Sequence, residues 1–437
     1  MLDTLTSCLE KYRQPHSRVV LALSGGVDSR VLLDLLARYQ AVHKEVTCLA
    51  VHVHHGLSDN ADEWVSCCQT WCDDEGIELF IEHVELNLAR QVSTEQEARN
   101  KRYQALEKYV KRNDILITGQ HNADQMETFL LALKRGSGPK GLSAMPECAS
   151  FSDGLLIRPL LAISQVAIIE YAHSKQLNWN EDESNQNTQY DRNFLRQEVI
   201  PKLKARWPNI EQSVLRSSKL CANQESLINE LLNERLIQLT DVDGSLSILQ
   251  LSQQSELARN QLLRLWLSAR HSMMPSLVQL SLIWKEVALA KIDGNPKINI
   301  TSGEVRRFKG RLYFVDKIPD VTSWSDSLSF HQRLALPEKL GHIQLIDTCV
   351  GTSLSLRTPK KNERVWVHFN PQGLTAHPVE REHSRKLKKL FQEYEIPSWL
   401  RTRTPIIMYG DQLAMVADLF VCKEFHGDDC EILWDKV

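Results

Sequence analysis

The N-terminal half of the chain alternates between two hydrophobic patterns, and this alternation restricts the fold more than any other feature of the sequence. Short runs rich in β-branched residues, typical of buried strands, are each followed by a longer segment with helical periodicity. Regular alternation with short connections predicts an α/β domain with a Rossmann-like parallel sheet and helices on both faces. Ligands of such sheets bind beyond the carboxyl ends of the strands. The predicted strands cover residues 17–23, 46–53, 78–84, 114–118 and 155–161, and the predicted helices cover 29–39, 62–74, 94–111, 124–134 and 164–176.

After about residue 208 the pattern changes, and the length of the chain requires more than one domain. A single hydrophobic core stops growing at about 250–300 residues, whereas this chain has 437. We predict three domains: the α/β domain over 1–208, a mainly helical middle domain over 209–325 and a small α+β C-terminal domain over 326–437. Within the last two we predict helices at 211–239, 256–270 and 276–291, short strands at 305–315, a basic helix at 384–395 and a hairpin at 406–421.

Composition excludes several classes of protein. A hydrophobic fraction of 42% and a charged fraction of 24% are typical of folded globular chains. No apolar stretch approaches the ~20 residues of a transmembrane helix, so we expect no membrane insertion. The 10 cysteines contain no Cys-x-x-Cys pair, which indicates reduced thiols and a cytoplasmic location. The net charge of −3 argues neither for nor against nucleic-acid binding.

A glycine-rich turn lies where the first predicted strand meets the first predicted helix. Glycines allow positive φ and a close approach to a ligand, and a helix N-terminus offers free N–H groups and a partial positive charge. The turn is therefore predicted to bind phosphate, with Asp28 placed to hold a Mg²⁺ ion. The alternative is an ordinary tight turn in which Asp28 caps the helix. The turn, called the phosphate loop below, reads Ser24-Gly25-Gly26-Val27-Asp28-Ser29.

The phosphate loop resembles the signature of the PP-loop ATP pyrophosphatases. Members of that superfamily cleave ATP between its α and β phosphates and transfer AMP to an oxygen. They include amide-forming synthetases, tRNA thiolases and a tRNA lysine ligase. The loop therefore implies the half-reaction and leaves the second substrate open.

Further segments narrow the choice, at residues 50–57, 97–103, 118–128, 135–138, 141–142, 158–161, 182–185, 191–196, 385–391 and 396–401. Together they resemble one branch of this superfamily, the tRNA(Ile)-lysidine synthetases. The likeness extends over essentially the whole chain and is strongest over about 17–206 and again over about 350–422. That family usually carries two histidines and two aspartates after the fourth strand, whereas this sequence has Gln120 before His121 and Ala123 before Asp124.

The resemblance implies an enzyme that joins L-lysine to the wobble cytidine of an isoleucine tRNA with a CAU anticodon. ATP would first adenylate the cytidine, and lysine would then displace AMP, so that lysidine, AMP and pyrophosphate are the products. The middle and C-terminal domains would hold the tRNA. No protein partner is implied, and a homodimer stays open.

The resemblance also implies roles for particular side chains. Asp28, Asp124, Glu127 and Arg99 are expected to be catalytic, with Asp28 as the Mg²⁺ ligand. Because free lysine has a pKa of about 10.4, one of the carboxylates at 124 and 127 is expected to take its proton. ATP is expected at Ser24, Gly25, Gly26, Val27, Asp28 and Ser29, and lysine or tRNA at Arg102, His121, Arg192, Asn193, Arg196, Arg385, Lys388 and Lys389.

The C-terminal part of the chain contains a basic stretch. Residues 357–403 include eleven Lys or Arg and five Asp or Glu. This excess suits a phosphate-binding face, although a solvated helix face would look the same. Trp366, Phe369, Tyr394 and Trp399 lie among these charges and can stack on bases, but apolar packing explains most of them equally well.

Several predicted site residues have simpler explanations as well. Charged pairs on a helix are often solvated or complement the helix dipole. Strand-end histidines are often core or surface residues, and we predict no zinc site from them. The residues concerned are Arg99, Arg102, Asp124, Glu127, His52, His54 and His55.

Two other functions stay open from the sequence. A PP-loop tRNA thiolase would normally need a reactive cysteine or a cysteine-ligated cluster, which the lack of a Cys-x-x-Cys pair disfavours. A non-catalytic, nucleotide-gated RNA-binding protein is favoured only by Ala123. Pyrophosphate release that depends on both lysine and tRNA would distinguish all three functions.

Overall fold

The structure is a computed structural model, and its contacts divide the chain into two compact units, Met1–Ile228 and Asn229–Val437. Among the segments that carry the family likeness, residues 57, 184 and 185 lie outside the described residues. No helix within the described ranges is long and apolar enough to cross a membrane. The structure describes residues 1–56, 58, 60–85, 94–183, 187–270, 275–291, 294–300, 303–347, 354–361 and 363–436.

The first unit is built on a six-stranded sheet. Its strands are β1 Val19–Ala22, β2 Cys48–His54, β3 Glu78–His83, β4 Ile115–Ile117, β5 Cys148–Phe151 and β6 Gly154–Ile157. Their order is β3-β2-β1-β4-β6-β5, and every neighbouring pair is parallel except β5 with β6. The predicted parallel sheet is confirmed, and β5, which is not among the predicted strands, adds one antiparallel edge strand.

Helices cover both faces of this sheet. Val19 and Leu21 of β1 point into one hydrophobic core and Val20 into another, as the period of two in a strand requires. Burial on both faces explains why β1 reads as a continuous apolar run. The helices are α1 Leu2–Tyr12, α2 Val27–Val42, α3 Ala61–Glu75, α4 Thr94–Glu107, α5 Asn122–Lys134, α6 Pro139–Leu142, α7 Gln165–Ser174, α8 Asp191–Phe194 and α9 Ile200–Arg206, with a π-helical turn, Leu195–Val199, between the last two.

The order of the strands determines where a ligand can bind. From β1 the chain builds β2 and β3 on one side and then returns to place β4 on the other side of β1. Such a reversal opens a crevice at the carboxyl ends of the two central strands. The phosphate loop follows β1 and residues 118–121 follow β4, so the fold brings these two segments together.

The second unit begins within the long helix α10, Ile210–Leu239. A mainly helical region follows, with a core around the buried Trp266. Its short sheet is antiparallel, in the order β7-β10-β9-β8. The elements are β7 Leu246–Ser247, α11 Ile248–Ser252, α12 Glu256–Ser268, α13 Leu277–Leu282, a π-helical turn Ile283–Ala288, β8 Lys297–Ile300, β9 Gly303–Phe308 and β10 Arg311–Asp316.

The C-terminal region has its own hydrophobic core, built mainly by strands. They are β11 Ser325–Ser327, β12 Leu334–Ala335, β13 His342–Asp347, β14 Val365–His368, β15 Thr375–Ala376, β16 Arg385–Lys386, β17 Ile406–Tyr409, β18 Gln412–Val416, β19 Phe420–Val421 and β20 Cys430–Asp435, with one helix, α14 Leu387–Glu393. The strands form sheets in the orders β11-β14-β17-β18-β19, β12-β13-β20 and β15-β16. The predicted hairpin at 406–421 is confirmed by β17 and β18, which turn at Gly410.

The predicted basic helix at 384–395 is wrong at its N-terminal end. Arg385 and Lys386 are extended and pair with β15, and Leu387 donates its N–H to Leu374 O at 2.9 Å. Backbone pairing with a strand ten residues upstream therefore overrides the local helical preference. The predicted domain boundaries at 208/209 and 325/326 stay predictions.

Candidate active site

The phosphate loop is held open by its own side chains. Gly25 has φ +89°, a conformation that favours glycine. Ser29 Oγ accepts the N–H groups of Ser24 and Gly25, both at 3.2 Å, and donates to Gly26 O at 2.9 Å. The Ser29 hydroxyl therefore shapes the loop, and the Ser24 hydroxyl donates to it at 3.1 Å.

The segment after β4 packs directly against the start of α2. A Cβ atom on Gly119 would lie 3.0 Å from Asp28 Cβ and 3.2 Å from Ser29 N. Only glycine therefore allows this close approach without a shift. The contact joins the two segments that the strand order predicts to be neighbours.

His121 connects Asp28 with Asp124. His121 Nδ1 accepts the N–H of Ala123 at 3.2 Å, and Asp124 Oδ2 accepts the N–H of His121 at 2.9 Å, which forms a reciprocal cap of α5. Because Nδ1 is an acceptor, the proton of the neutral imidazole lies on Nε2. That nitrogen is 3.6 Å from Asp28 Oδ1 and 3.7 Å from Asp124 Oδ2. A single imidazole N–H thus faces two carboxylates.

Asp28 is a partly satisfied carboxylate. Its Oδ1 is buried and has no hydrogen-bond partner within the described chain. Burial raises the pKa of Asp28; His121 opposes that rise, and the neighbouring Asp124 carboxylate adds to it. Such a group gains from a cation at the site.

Glu127 and Arg196 form a fork-shaped ion pair across 69 residues of sequence. Arg196 Nε donates to Glu127 Oε1 at 2.7 Å and Arg196 Nη2 donates to Glu127 Oε2 at 3.1 Å. The same Nη2 lies 3.5 Å from Asp124 Oδ1. Burial raises the pKa of Glu127, whose side chain is fully buried, while the bond from Arg196 limits that rise. Both predicted carboxylates therefore belong to one network with Arg196.

The two predicted arginines of α4 have different surroundings. Arg102 Nε donates to His55 Nε2 at 3.2 Å. Arg99 lies over the Tyr103 ring, 5.0 Å from its centroid, and donates to the Tyr103 hydroxyl at 3.4 Å. Arg102 thus bonds to an imidazole, and Arg99 bonds to a phenol hydroxyl. Arg99 has no carboxylate partner within the described residues.

The strand-end histidines have separate partners. His52 is buried, with Nδ1 2.9 Å from Leu23 O, and burial lowers the pKa of His52. His54 lies 3.2 Å from Asp62. Across the described part of the chain, no three His, Cys, Asp or Glu side chains are grouped as a metal-ion site.

The remaining predicted residues lie in two places. Arg192 and Asn193 lie within α8, and Asn193 Nδ2 donates to Asn187 O at 2.9 Å. The second unit holds Arg385, which pairs with Glu393 at 2.6 Å, and the exposed Lys388 and Lys389.

The two departures from the family pattern have modest local effects. Gln120 Oε1 accepts the Thr118 hydroxyl at 2.5 Å. Ala123 contributes its backbone N–H to the cap of α5. The network of Asp28, His121 and Asp124 therefore forms without a carboxylate at position 123.

One residue near the phosphate loop has no distinctive signal in the sequence. Asn180 donates its backbone N–H to Gly25 O at 2.9 Å, and its Nδ2 would lie 3.2 Å from a Cβ on Gly25. Asn180 thus closes one side of the loop from a segment 155 residues away. Only the tertiary structure identifies this contact.

Three family models match the chain. A PP-loop domain model matches residues 2–203. A model described as the TilS substrate binding domain matches residues 246–313, and one described as the TilS substrate C-terminal domain matches residues 365–436.

Curated relatives of nearly the same length are named tRNA(Ile)-lysidine synthase. The relative from Vibrio vulnificus (strain YJ016) is 54% identical over 98% of this chain and 98% of its own. The relative from Vibrio cholerae serotype O1 (strain ATCC 39315) is 50% identical over 97% of this chain and 96% of its own. The one from Photobacterium profundum is 49% identical over 96% of each chain.

Proposed function

Because the chain belongs to the tRNA(Ile)-lysidine synthase family, we propose that it is an ATP-dependent ligase that attaches lysine to an isoleucine tRNA. The observation that carries this proposal is the 54% identity, over 98% of both chains, to a relative of that name. The product is lysidine on tRNA(Ile). The predicted family, fold class and ATP-dependent enzyme class are confirmed, and the match to this family disfavours the thiolase alternative.

The phosphate loop supports binding of ATP at the carboxyl end of β1. The first turn of an α-helix leaves backbone N–H groups without partners in the helix, and its dipole favours anions. The positive φ of Gly25 and the bonds made by Ser29 hold the loop in this shape. Gly26 is the N-cap of α2. The triphosphate would therefore lie over the start of α2.

Asp28 is the residue that would hold Mg²⁺. Its buried Oδ1 has no partner in the described chain, and Mg²⁺ prefers such hard oxygen ligands and takes its other ligands from water and phosphate. When bound, the ion neutralises charge on the phosphate oxygens. His121 Nε2 lies 3.6 Å from the same oxygen, so the imidazole borders the proposed ion site.

In the first step, the carbonyl oxygen of the wobble cytidine bonds to the α-phosphorus of ATP. The bond from that phosphorus to the bridging oxygen breaks, and pyrophosphate leaves. Negative charge accumulates on the α-phosphate oxygens, where the N–H groups at the start of α2 can stabilise it. The chain supplies orientation and electrostatic stabilisation in this step.

In the second step, the lysine side-chain nitrogen bonds to C2 of the cytosine ring and the bond from C2 to the adenylate oxygen breaks, releasing AMP. The ammonium must lose a proton before it can attack. Asp124 is the better placed acceptor, because both oxygens of Glu127 are held by Arg196 at 2.7 and 3.1 Å, whereas Asp124 Oδ1 has only a 3.5 Å contact. Glu127 would then fix Arg196 and, through it, Asp124.

The second unit would bind tRNA. Lys386, Lys388 and Lys389 are exposed, and within the described chain no ion pair involves them, whereas Arg385 is partly neutralised by Glu393. Exposed lysines that lack a partner are suited to backbone phosphates. A cytoplasmic location follows from this proposal, since ATP, lysine and tRNA meet there. The mechanism requires neither a protein partner nor a second copy of the chain.

A reconstituted reaction tests the proposed function. The purified chain is incubated with ATP, Mg²⁺, lysine and an isoleucine tRNA transcript with a CAU anticodon, and pyrophosphate release is measured while each component is omitted in turn. Release should require both lysine and tRNA for complete turnover, and mass spectrometry should find the mass of one lysyl addition at the wobble nucleoside. Unmodified tRNA, or a product that carries sulfur, would refute the proposal.

A further inference from the structure

Of three arginines at the site that can orient an anion, two have other partners. Arg196 is held by Glu127 in a two-bond pair, and Arg102 donates to His55. Arg99 contacts only the ring and hydroxyl of Tyr103 among the described residues. Arg99 is therefore the one of the three that donates to neither a carboxylate nor an imidazole among the described residues.

A fourth arginine interacts electrostatically with Arg99. Arg158 follows β6 and is only 6% exposed. Its Nη1 donates to Pro146 O at 2.8 Å, which fixes the orientation of the guanidinium, while its buried Nε has no partner within the described chain. No carboxylate in the described chain pairs with it. The Tyr103 hydroxyl accepts a hydrogen bond from Arg99, and Tyr103 also interacts electrostatically with Arg158, so this residue links the two guanidinium groups.

This arrangement is unfavourable without an anion. Transferring a charged group out of water is costly unless a counter-charge and hydrogen bonds replace the lost solvation. Burial lowers the pKa of Arg158, and the like charge of Arg99 lowers it further, although Tyr103 opposes both. An anion bound at Arg158 would offset both its burial and the like charge of Arg99.

The position of Arg158 in the fold places it at the ligand-binding edge of the sheet. β6 is the parallel neighbour of β4, so Arg158 follows the carboxyl end of the strand next to the one that leads to His121. Arg158 and α5 both bond to the turn at residues 145–146. Gln125 Nε2 of α5 donates to Met145 O at 2.7 Å, and Arg158 Nη1 donates to Pro146 O. Arg158 and α5, the helix that carries Asp124, therefore bond to adjacent carbonyls of the same turn.

We propose that Arg99 and Arg158 form a second oxyanion site, distinct from the phosphate loop, that binds a carboxylate or phosphate of a small-molecule substrate. The inference rests on the proposed function, in which two such oxyanions take part: the carboxylate of free lysine and the phosphates of ATP. Guanidinium groups suit both, because their parallel N–H donors match the spacing of oxyanion oxygens. Arg158 supplies a fixed donor and Arg99 an adjustable one.

The test uses two substitutions and a matched control. Arg99→Gln and Arg158→Gln each remove a charge at the site, whereas Arg112→Gln removes the charge of an exposed arginine that precedes β4, at the opposite edge of the sheet. KM is measured separately for lysine, ATP and tRNA. Cadaverine, which is lysine without its carboxylate, is measured as a competitive inhibitor. A hydrogen bond to a charged group is worth enough to change KM by about tenfold or more.

Two results would support the site and identify its ligand. If the lysine carboxylate binds there, KM for lysine rises at least about tenfold in both variants while the inhibition constant of cadaverine stays unchanged. If a phosphate of ATP binds there, KM for ATP rises and the preference for lysine over cadaverine is unaffected. Arg112→Gln should behave as wild type in both cases.

Other results would overturn the site. Unchanged KM values for lysine and ATP, or a change confined to tRNA, would mean that Arg158 only anchors Pro146. If Arg158→Gln fails to fold, Arg99→Gln decides alone, because Arg99 is half-buried on the surface of α4. A wild-type chain with no lysine- and tRNA-dependent activity would instead refute the proposed function, and the oxyanion site would fall with it.

Discussion

The crevice of the first unit and the basic stretch of the second unit use charge in opposite ways. In the crevice, Asp28, His121, Asp124, Glu127 and Arg196 are connected at separations of 2.7 to 3.7 Å. In the basic stretch, the lysines of β16 and α14 are exposed and have no ion-pair partner in the described chain. The first arrangement fixes the positions of reacting groups, and the second attracts a polyanion without fixing its position. Single substitutions should therefore matter in the crevice, and only combined substitutions should matter in the basic stretch.

The largest effect is expected at Asp28. Asp28→Ala removes the proposed Mg²⁺ ligand, so adenylation should fall by about 10²–10³-fold, the scale of losing one main electrostatic stabiliser. The fold should survive, because the Asp28 side chain is partly exposed and its Oδ1 has no hydrogen-bond partner in the described chain to lose. Formation of adenylated tRNA is measured in the absence of lysine. Asp153→Ala, at an exposed turn before β6, is the control, and adenylation by Asp28→Ala at the rate of this control would exclude the proposed role.

A smaller and more selective effect is expected at Asp124. If Asp124 receives the lysine ammonium, Asp124→Ala should slow lysine transfer by about 10²-fold, as for loss of a general base, while adenylation continues. Adenylated tRNA should therefore accumulate in a quenched-flow time course. If adenylation is lost and lysine binding is unchanged, the carboxylate belongs with Asp28 at the metal instead.

The next effect concerns stability and its dependence on pH. Arg196→Gln leaves the buried Glu127 without its bidentate partner, which should cost about 1 to 3 kcal/mol at neutral pH. Burial already raises the pKa of Glu127 above its unfolded value and Arg196 limits the rise, so the pKa should rise further in the variant. A carboxyl group whose pKa is higher in the folded than in the unfolded state stabilises the fold at pH values below the unfolded-state pKa. This contribution is lost as the pH rises through the folded-state pKa. The deficit of Arg196→Gln should therefore grow from pH 5 to pH 8.

Urea unfolding at several pH values measures this deficit. The double variant Glu127→Gln, Arg196→Gln is the control, because it has no carboxylate at position 127, so its deficit should change less with pH than that of Arg196→Gln. If Arg196→Gln loses the same unfolding free energy at pH 5 and at pH 8, the loss does not come from an unpaired Glu127 carboxylate.

These residues also show what the sequence can predict. The phosphate loop is recognisable because its glycines, Asp28 and the strand–helix junction are adjacent in the chain. The pairing of Glu127 with Arg196 joins residues 69 positions apart, and no local pattern specifies it. Arg158 can be seen to follow a strand, but only the structure shows that it is buried beside Arg99.

Local patterns also fail where tertiary pairing competes with them. Residues 384–395 have a helical pattern, yet Arg385 and Lys386 are extended because they pair with β15. The edge strand β5 is absent from the predicted strands because its four residues, Cys148–Phe151, are too short and too mixed for a periodic signal. His121 caps α5 although histidine is not a preferred N-cap residue.

The smallest effect per residue is expected in the basic stretch. A helix from 384 would place Arg385 on one face with Lys388 and Lys389 and turn Lys386 away, but the helix starts at Leu387 and Arg385 pairs with Glu393. The three exposed lysines at 386, 388 and 389 should therefore act together. Each neutralised phosphate contributes about 0.9 to the slope of log affinity against log salt on duplex DNA and somewhat less on single strands. The triple substitution to Ala should weaken tRNA binding and flatten this slope by up to about 2 to 3 units.

Filter binding of tRNA at several salt concentrations measures this slope. A triple variant of three exposed lysines in the first unit, Lys44, Lys111 and Lys175, controls for the loss of three positive charges elsewhere in the chain. Arg385→Ala alone should have less effect than any of the three lysines, because Glu393 already offsets its charge at 2.6 Å. Adenylation at saturating tRNA should stay unchanged in the triple variant, since the phosphate loop belongs to the first unit. If both triple variants lower the affinity for tRNA and the salt slope equally, the lysines at 386, 388 and 389 act only through the net charge of the chain. The basic stretch would then not be a phosphate-binding surface.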